Sequence, residues 1–240
     1  MADGDGFTEF MAKGVRSRLC DAEGAAEFES HLRGLAPTGF ARDSLEALLA
    51  ADLPEERNWA IGEAMAEAYL SSEFQIAWPW NMERDKRTPK ASLPGADLIG
   101  FQRAGTLTYL ALGEVKTSTD PDAPPNVMNG RSGMTHQLDK LATNLSILVT
   151  LLKWLLPRCK GTMHENIFNA AVSAFLVSGN KAVALFGVLL RDTQADEKDL
   201  KARGQRLASS LSSPTTCQLI AVYLPCEIAD LRSRVSEGES

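Results

Sequence analysis

The sequence predicts an α/β fold, a mixed central sheet flanked by helices and preceded by a helical accessory segment. Three observations carry this reading. Apolar runs of strand length recur between stretches of helical periodicity. The earliest strands read as hairpin neighbours, and the later ones are separated by helices, so the sheet is mixed. Strands interleaved with covering helices must form layers around a buried centre.

The elements follow in order. Residues 1–53 read as a loose helical accessory segment, with Gly14, Gly24, Gly34 and Gly39 interrupting short amphipathic runs and one helix over 42–51. The main domain is placed at 54–240. Pro54, Glu55 and Glu56 suit a helix N-terminus, where acids complement the dipole, and that helix is expected over 54–71. A short strand follows at 74–78, then a polar, basic loop at 81–94. Strands are expected at 96–101 and 106–117, joined by a hairpin turn at Ala104-Gly105, with a Pro-, Gly- and Asn-rich loop over 118–133. Residues 135–156 read as one helix stopped by Pro157, because Leu138, Leu141, Leu145, Leu148, Leu152 and Leu155 recur at steps of three and four. A helix at 164–177, a buried strand at 182–190, a charged helix at 193–209, a strand at 217–224 and a closing helix at 227–235 complete the order.

Composition bounds the function. The chain has 240 residues, 44% apolar and 23% charged, which excludes wholesale disorder. Its net charge of -6 argues against binding nucleic acid through a broad basic surface. The longest apolar stretch is broken by Lys153 and is too short for a membrane span. The first ten residues carry acids and no apolar block, so no secretory leader is expected. Cys20, Cys159, Cys217 and Cys226 form no C-x-x-C pair and are not clustered with His31, His136 or His164. That predicts reduced thiols, a cytoplasmic location and no zinc site.

The chemistry concentrates at the end of the 106–117 strand. The strand is apolar on both faces until Gly113-Glu114-Val115-Lys116. Period two puts Glu114 and Lys116 on one face, about 7 Å apart along the strand. An acid and a lysine at the end of a buried strand are costly unless paired or bound to something. The hairpin is antiparallel, so the start of the preceding strand, and with it Asp97, lands beside them. Glu63 shares a helical face with Trp59, Ala66 and Leu70 and should point inward, with Glu67 as the alternative one turn on. Clustered carboxylates suit a magnesium ion, which takes one or two of them and keeps waters for a phosphate substrate.

Asp97, Glu114-x-Lys116 and the preceding helix with Glu63 resemble the PD-(D/E)xK nuclease superfamily over about 54–190. The resemblance implies a restriction-endonuclease-like α-β-β-β-α-β core. It implies a metal held by Asp97, Glu114 and the Val115 carbonyl and completed by Glu63, with Lys116 assisting the attacking water. It also implies a glutamine on the following helix, matched by Gln137. Mg2+ is the expected cofactor, with Mn2+ able to substitute. The chain departs from the pattern in having Gly95-Ala96-Asp97 in place of a Pro-Asp pair. The runs 62–67, 93–101 and 113–117 further resemble the nuclease subunit of Hachiman-type anti-phage defence, which implies a DNA endonuclease or nickase controlled by a helicase partner.

Arg84, Lys86, Arg87 and Lys90 in the loop before Asp97 are candidate DNA phosphate contacts. Trp78 and Trp80 read as packing rather than base-stacking residues, and the histidines as satisfied structural ones. Two other readings use the same residues: a non-catalytic nuclease fold that docks a motor or sensor protein, and an RNA or tRNA nuclease.

Overall fold

The computed structural model describes residues 4–51, 58–85 and 95–236. Its centre is one five-stranded sheet in the order β1-β2-β3-β4-β5, formed by β1 (Ile76–Ala77), β2 (Leu98–Ala104), β3 (Leu107–Ser118), β4 (Val183–Arg191) and β5 (Thr216–Tyr223). The first three strands pair antiparallel, and β3-β4 and β4-β5 pair parallel. The β2-β3 register, Ala104 opposite Leu107, puts the two-residue turn at Gly105-Thr106, one residue beyond the expected Ala104-Gly105. Gly105 supplies the positive φ of 61° that this turn needs. The mixed, helix-flanked sheet is the one the strand order predicts.

The helices are α1 (Asp5–Glu9), α2 (Arg16–Leu19), α3 (Ala22–Leu35), α4 (Gly39–Ala50), α5 (Asn58–Phe74), α6 (Met82–Asp85), α7 (Met134–Thr143), α8 (Leu145–Cys159), α9 (Glu165–Val177), α10 (Lys201–Ser210) and α11 (Leu231–Ser236). They cover both faces of the sheet. On one face, Phe74 of α5 packs edge-on against Phe186. A Cβ on Gly62 would lie 2.6 Å from the Thr117 hydroxyl, so α5 rests directly on the end of β3. On the other face, Phe101 packs against Phe168 of α9. There Gly187 leaves room for Met134 and Leu138 of α7, whose atoms lie 2.7 and 3.0 Å from where its Cβ would stand.

Several expectations are corrected. The accessory segment divides in two. α1, a π-helical turn at Phe10–Val15 and α2 run on as one helix, and its Phe7, Met11, Val15 and Leu19 join the main core. Steps of four overshoot the 3.6-residue α turn, and the wider π turn keeps this stripe on one side. Arg18 fastens the run by bonding Glu67 at 2.5 Å and the Trp80 carbonyl at 2.6 Å. α3 and α4, by contrast, bury only Leu45. The single helix expected at 135–156 is broken at Asn144, whose side chain accepts from the Ser146 and Ile147 N–H groups and caps α8. α8 also passes through Pro157, because Leu155 and Cys159 anchor its last turn in the core. The charged helix at 193–209 is instead a 3-10 turn, Glu197–Asp199, followed by α10. The loop expected at 81–94 opens with α6, and the helix start at Pro54 lies outside the described residues.

Candidate active site

β3 ends between β2 and β4, buried from Leu110 to Val115. Leu98 pairs with Gly113, so β2 begins one residue before the level of Glu114. Asp97 continues that edge: its N–H donates to the Gly113 carbonyl at 3.0 Å, and its carboxylate accepts from the Val115 N–H at 2.8 Å. An extended residue directs its N–H and C=O to the same side of the strand. The Val115 carbonyl is therefore also aimed toward Asp97.

Lys116 donates to the Glu114 carboxylate at 2.5 Å, as two side chains on one face of a strand can. Glu114 is 7% exposed. Burial, and then the Asp97 charge, push its carboxyl up to about 7, while the Lys116 hydrogen bond and charge pull it down. Glu114 thus pairs with Lys116, while Asp97 stands close enough to raise the Glu114 carboxyl.

Period two separates the remaining candidates. Glu114 pairs in register with Gly187, and Thr117 with Leu190. The Glu114 face is therefore the one α7 covers, and α5 lies on the opposite, Thr117 face. Glu63 is buried on α5 beside Gly62. Among the described residues, no three His, Cys, Asp or Glu side chains group to hold a metal ion. The structure therefore joins Asp97, Glu114 and Lys116 but does not add Glu63 to a three-acid cluster. Glu67, the alternative, is committed to Arg18. Gln137 lies on the α7 side, where its amide donates to the Arg131 carbonyl at 3.1 Å.

The basic loop is seen only at Arg84, which pairs with Asp85 at 3.0 Å and approaches Asp21 at 3.7 Å. Lys86, Arg87 and Lys90 lie outside the described residues. Trp78 and Trp80 are buried, and their indole N–H groups bond the Glu67 and Ile99 carbonyls, so both are packing residues.

No family model, curated protein or solved structure matches this chain. The site's own chemistry therefore carries the functional reading. None of the described cysteines forms a disulfide. No described helix is long and apolar enough to cross a membrane.

A second buried charge cluster stands on the neighbouring strand, and its cue in the sequence is an arginine ending an apolar run. Arg191, 1% exposed, bonds Asp199 at 2.5 Å, and Tyr223 donates to the same carboxylate at 2.9 Å. Arg191 also donates to the Asp120 carbonyl, which ties down the chain just past β3.

Proposed function

We propose that this chain is a magnesium-dependent phosphodiesterase that cleaves DNA at Asp97, Glu114 and Lys116. The observation that carries the reading is the pair of facing carboxylates at a central strand end, one raised to about 7 by burial and by the other's charge. Such a pair relaxes when a divalent cation shares it. The donor set suits magnesium, which takes one or two carboxylates and retains waters. Asp97 and Glu114 would hold the ion, with the Val115 carbonyl on the same side. When bound, magnesium lowers the pKa of water and offsets phosphate charge.

The chain's own residues do the rest. The Val115 N–H fixes one Asp97 oxygen and so orients this carboxylate beside Glu114. Lys116, one-fifth exposed at its side chain, is held by Glu114 at the strand end. There it can orient the attacking water or neutralise charge building on the phosphate. The helix–three strands–helices–strand order of α5 to β4 also supports the nuclease reading. So does the position of α7 beside Glu114, which keeps Gln137 on the site's face. Control by a helicase partner in anti-phage defence is the proposed setting.

The test is nicking of supercoiled plasmid with Mg2+ or Mn2+, alongside calorimetric Mg2+ titration. Cleavage by wild type, lost in Asp97→Ala and Lys116→Ala, is expected. Metal binding should be weakened in Glu114→Gln. Equal cleavage by all proteins, or no metal binding by wild type, overturns the assignment. An RNA and tRNA panel under the same conditions decides the polymer.

A further inference from the structure

A second site lies between α7 and α10. A groove of about 400 Å³ is lined by Asn129, Gly130, Thr135, His136, Arg203 and Arg206, together with Met128 and Ala202. None of these residues is acidic. Arg203 donates to the neutral Asn129 side chain, and Arg206, largely exposed, comes no nearer than 3.8 Å to Asp139. Arg203 thus has a neutral partner here, and Arg206 has only a long, exposed ion pair with Asp139.

The floor of the groove is the first turn of α7. No side chain caps this helix, whose N-cap is Gly133. The partial positive charge of a helix N-terminus favours an anion there. A Cβ on Gly133 would lie 2.3 Å from the Asn129 carbonyl oxygen, so glycine lets the Asn129 loop fold tightly onto the helix start. Thr135, in this first turn, is 6% exposed, and its buried hydroxyl has no hydrogen-bond partner. A buried hydroxyl left without a partner is unfavourable, and a bound acceptor would remove the penalty.

The molecule's larger arginine-lined cleft, about 640 Å³ beside α2, is different. Its Arg18, Arg84 and Arg158 are bonded to Glu67, Asp85 and Asp85 respectively, and Asp21 and Glu23 line it. Its charges are already matched.

We propose that the groove between α7 and α10 binds a phosphate group, with Arg203 and Arg206 clamping its oxygens and Thr135 donating a hydrogen bond. Tetrahedral oxyanions take this combination of guanidinium forks, hydroxyl and helix terminus. The site stands on its own residues and does not depend on Asp97 or Glu114. Its position adds meaning: Met134, opening α7, packs on Gly187, the register partner of Glu114. The groove thus borders the face that carries Glu114 and Lys116. A phosphodiester of a nucleic-acid backbone and the phosphate of a free nucleotide present the same oxygens.

The test uses the full chain in EDTA, so that no cleavage intervenes. One arm follows anisotropy of a short labelled DNA duplex across a salt series. The other follows the thermal midpoint with inorganic phosphate or adenosine monophosphate. If the ligand is backbone phosphate, Arg203→Ala/Arg206→Ala weakens duplex binding by roughly tenfold or more. It should also shallow the log–log salt slope by about 2, roughly one per lost contact. If the ligand is a free phosphate, the small anions raise the midpoint of wild type but not of the double variant, and duplex binding is unchanged. Thr135→Val should weaken the responding arm severalfold without lowering the unliganded midpoint, a combination that a purely structural hydroxyl would not give. A folded double variant that matches wild type in both arms overturns the site, as does a wild type that responds in neither.

Discussion

Two acid–base pairs stand at the ends of adjacent central strands, and they behave differently. Arg191 and Asp199 are 1% and 0% exposed, matched one to one, with Tyr223 and the Asp120 carbonyl taking further bonds. Lys116 and Glu114 are more exposed, and a second carboxylate, Asp97, stands against the pair. The first cluster is electrically closed and ties loops to the sheet. In the second, Asp97 raises the Glu114 carboxyl, and a fifth of the Lys116 side chain is exposed. An ion pair at a strand end is therefore not a functional mark in itself; under the proposed function the second carboxylate beside it is what sets this site apart.

This contrast can be broken by exchanging the expected effects. Lys116→Ala should lower metal-dependent cleavage on the order of a thousandfold, as losses of charge-stabilising groups do, and leave stability nearly unchanged. The Glu114 left behind can take up a proton, so it need not stay charged and buried. Arg191→Met should do the reverse. It strands Asp199 in the core at a cost of about 3–5 kcal/mol, read by denaturant unfolding, while cleavage per folded molecule stays at the wild-type level. A double change, Arg191→Met/Asp199→Leu, should recover much of that loss. If Lys116→Ala unfolds the protein and Arg191→Met abolishes cleavage in folded protein, the two roles are assigned the wrong way round.

The pH dependence sharpens the comparison at the next magnitude. Glu114 titrates at about 7 in the folded chain, above its ordinary 4.5. Between these values the folded state binds the extra proton, so Glu114's contribution to stability is full below about 4.5 and is lost as pH rises through about 7. The loss should be on the order of 3 kcal/mol. Glu114→Gln should flatten it in urea titrations at several pH values. Magnesium must displace the same proton, so its affinity should rise with pH up to about 7 and then level off, as calorimetry would show. The smallest effect belongs to the closed cluster. Tyr223→Phe removes the bond to Asp199 and the acceptor of the Asp196 N–H, and should cost about 1–2 kcal/mol with no change in cleavage.

Much of this was legible in the residues, and the failures have physical causes. The Asp97–Glu114–Lys116 group follows from local rules, because a two-residue turn fixes register and period two fixes the face. The break at Asn144 was missed because leucine periodicity runs through it, although asparagine before two free N–H groups is a capping signal. Phe7, Met11, Val15 and Leu19 stand four apart, a visible stripe, yet only the π turn shows how they reach the core on one side. Glu63 and Glu67 are buried neighbours on one helix. Glu67 is taken by Arg18, 49 positions away, a pairing no local pattern shows.

The sequence by itself determined the mixed sheet, the hairpin and the acid pair with its lysine, because each depends on neighbours within one strand or across one short turn. Tertiary structure alone decided the rest. It set which face α5 and α7 cover, which kept Glu63 out of a three-acid cluster. It closed Arg191 onto Asp199, and it brought Thr135 to Arg203 and Arg206. Those outcomes depend on how layers stack and where charges meet after folding, and no local periodicity encodes them.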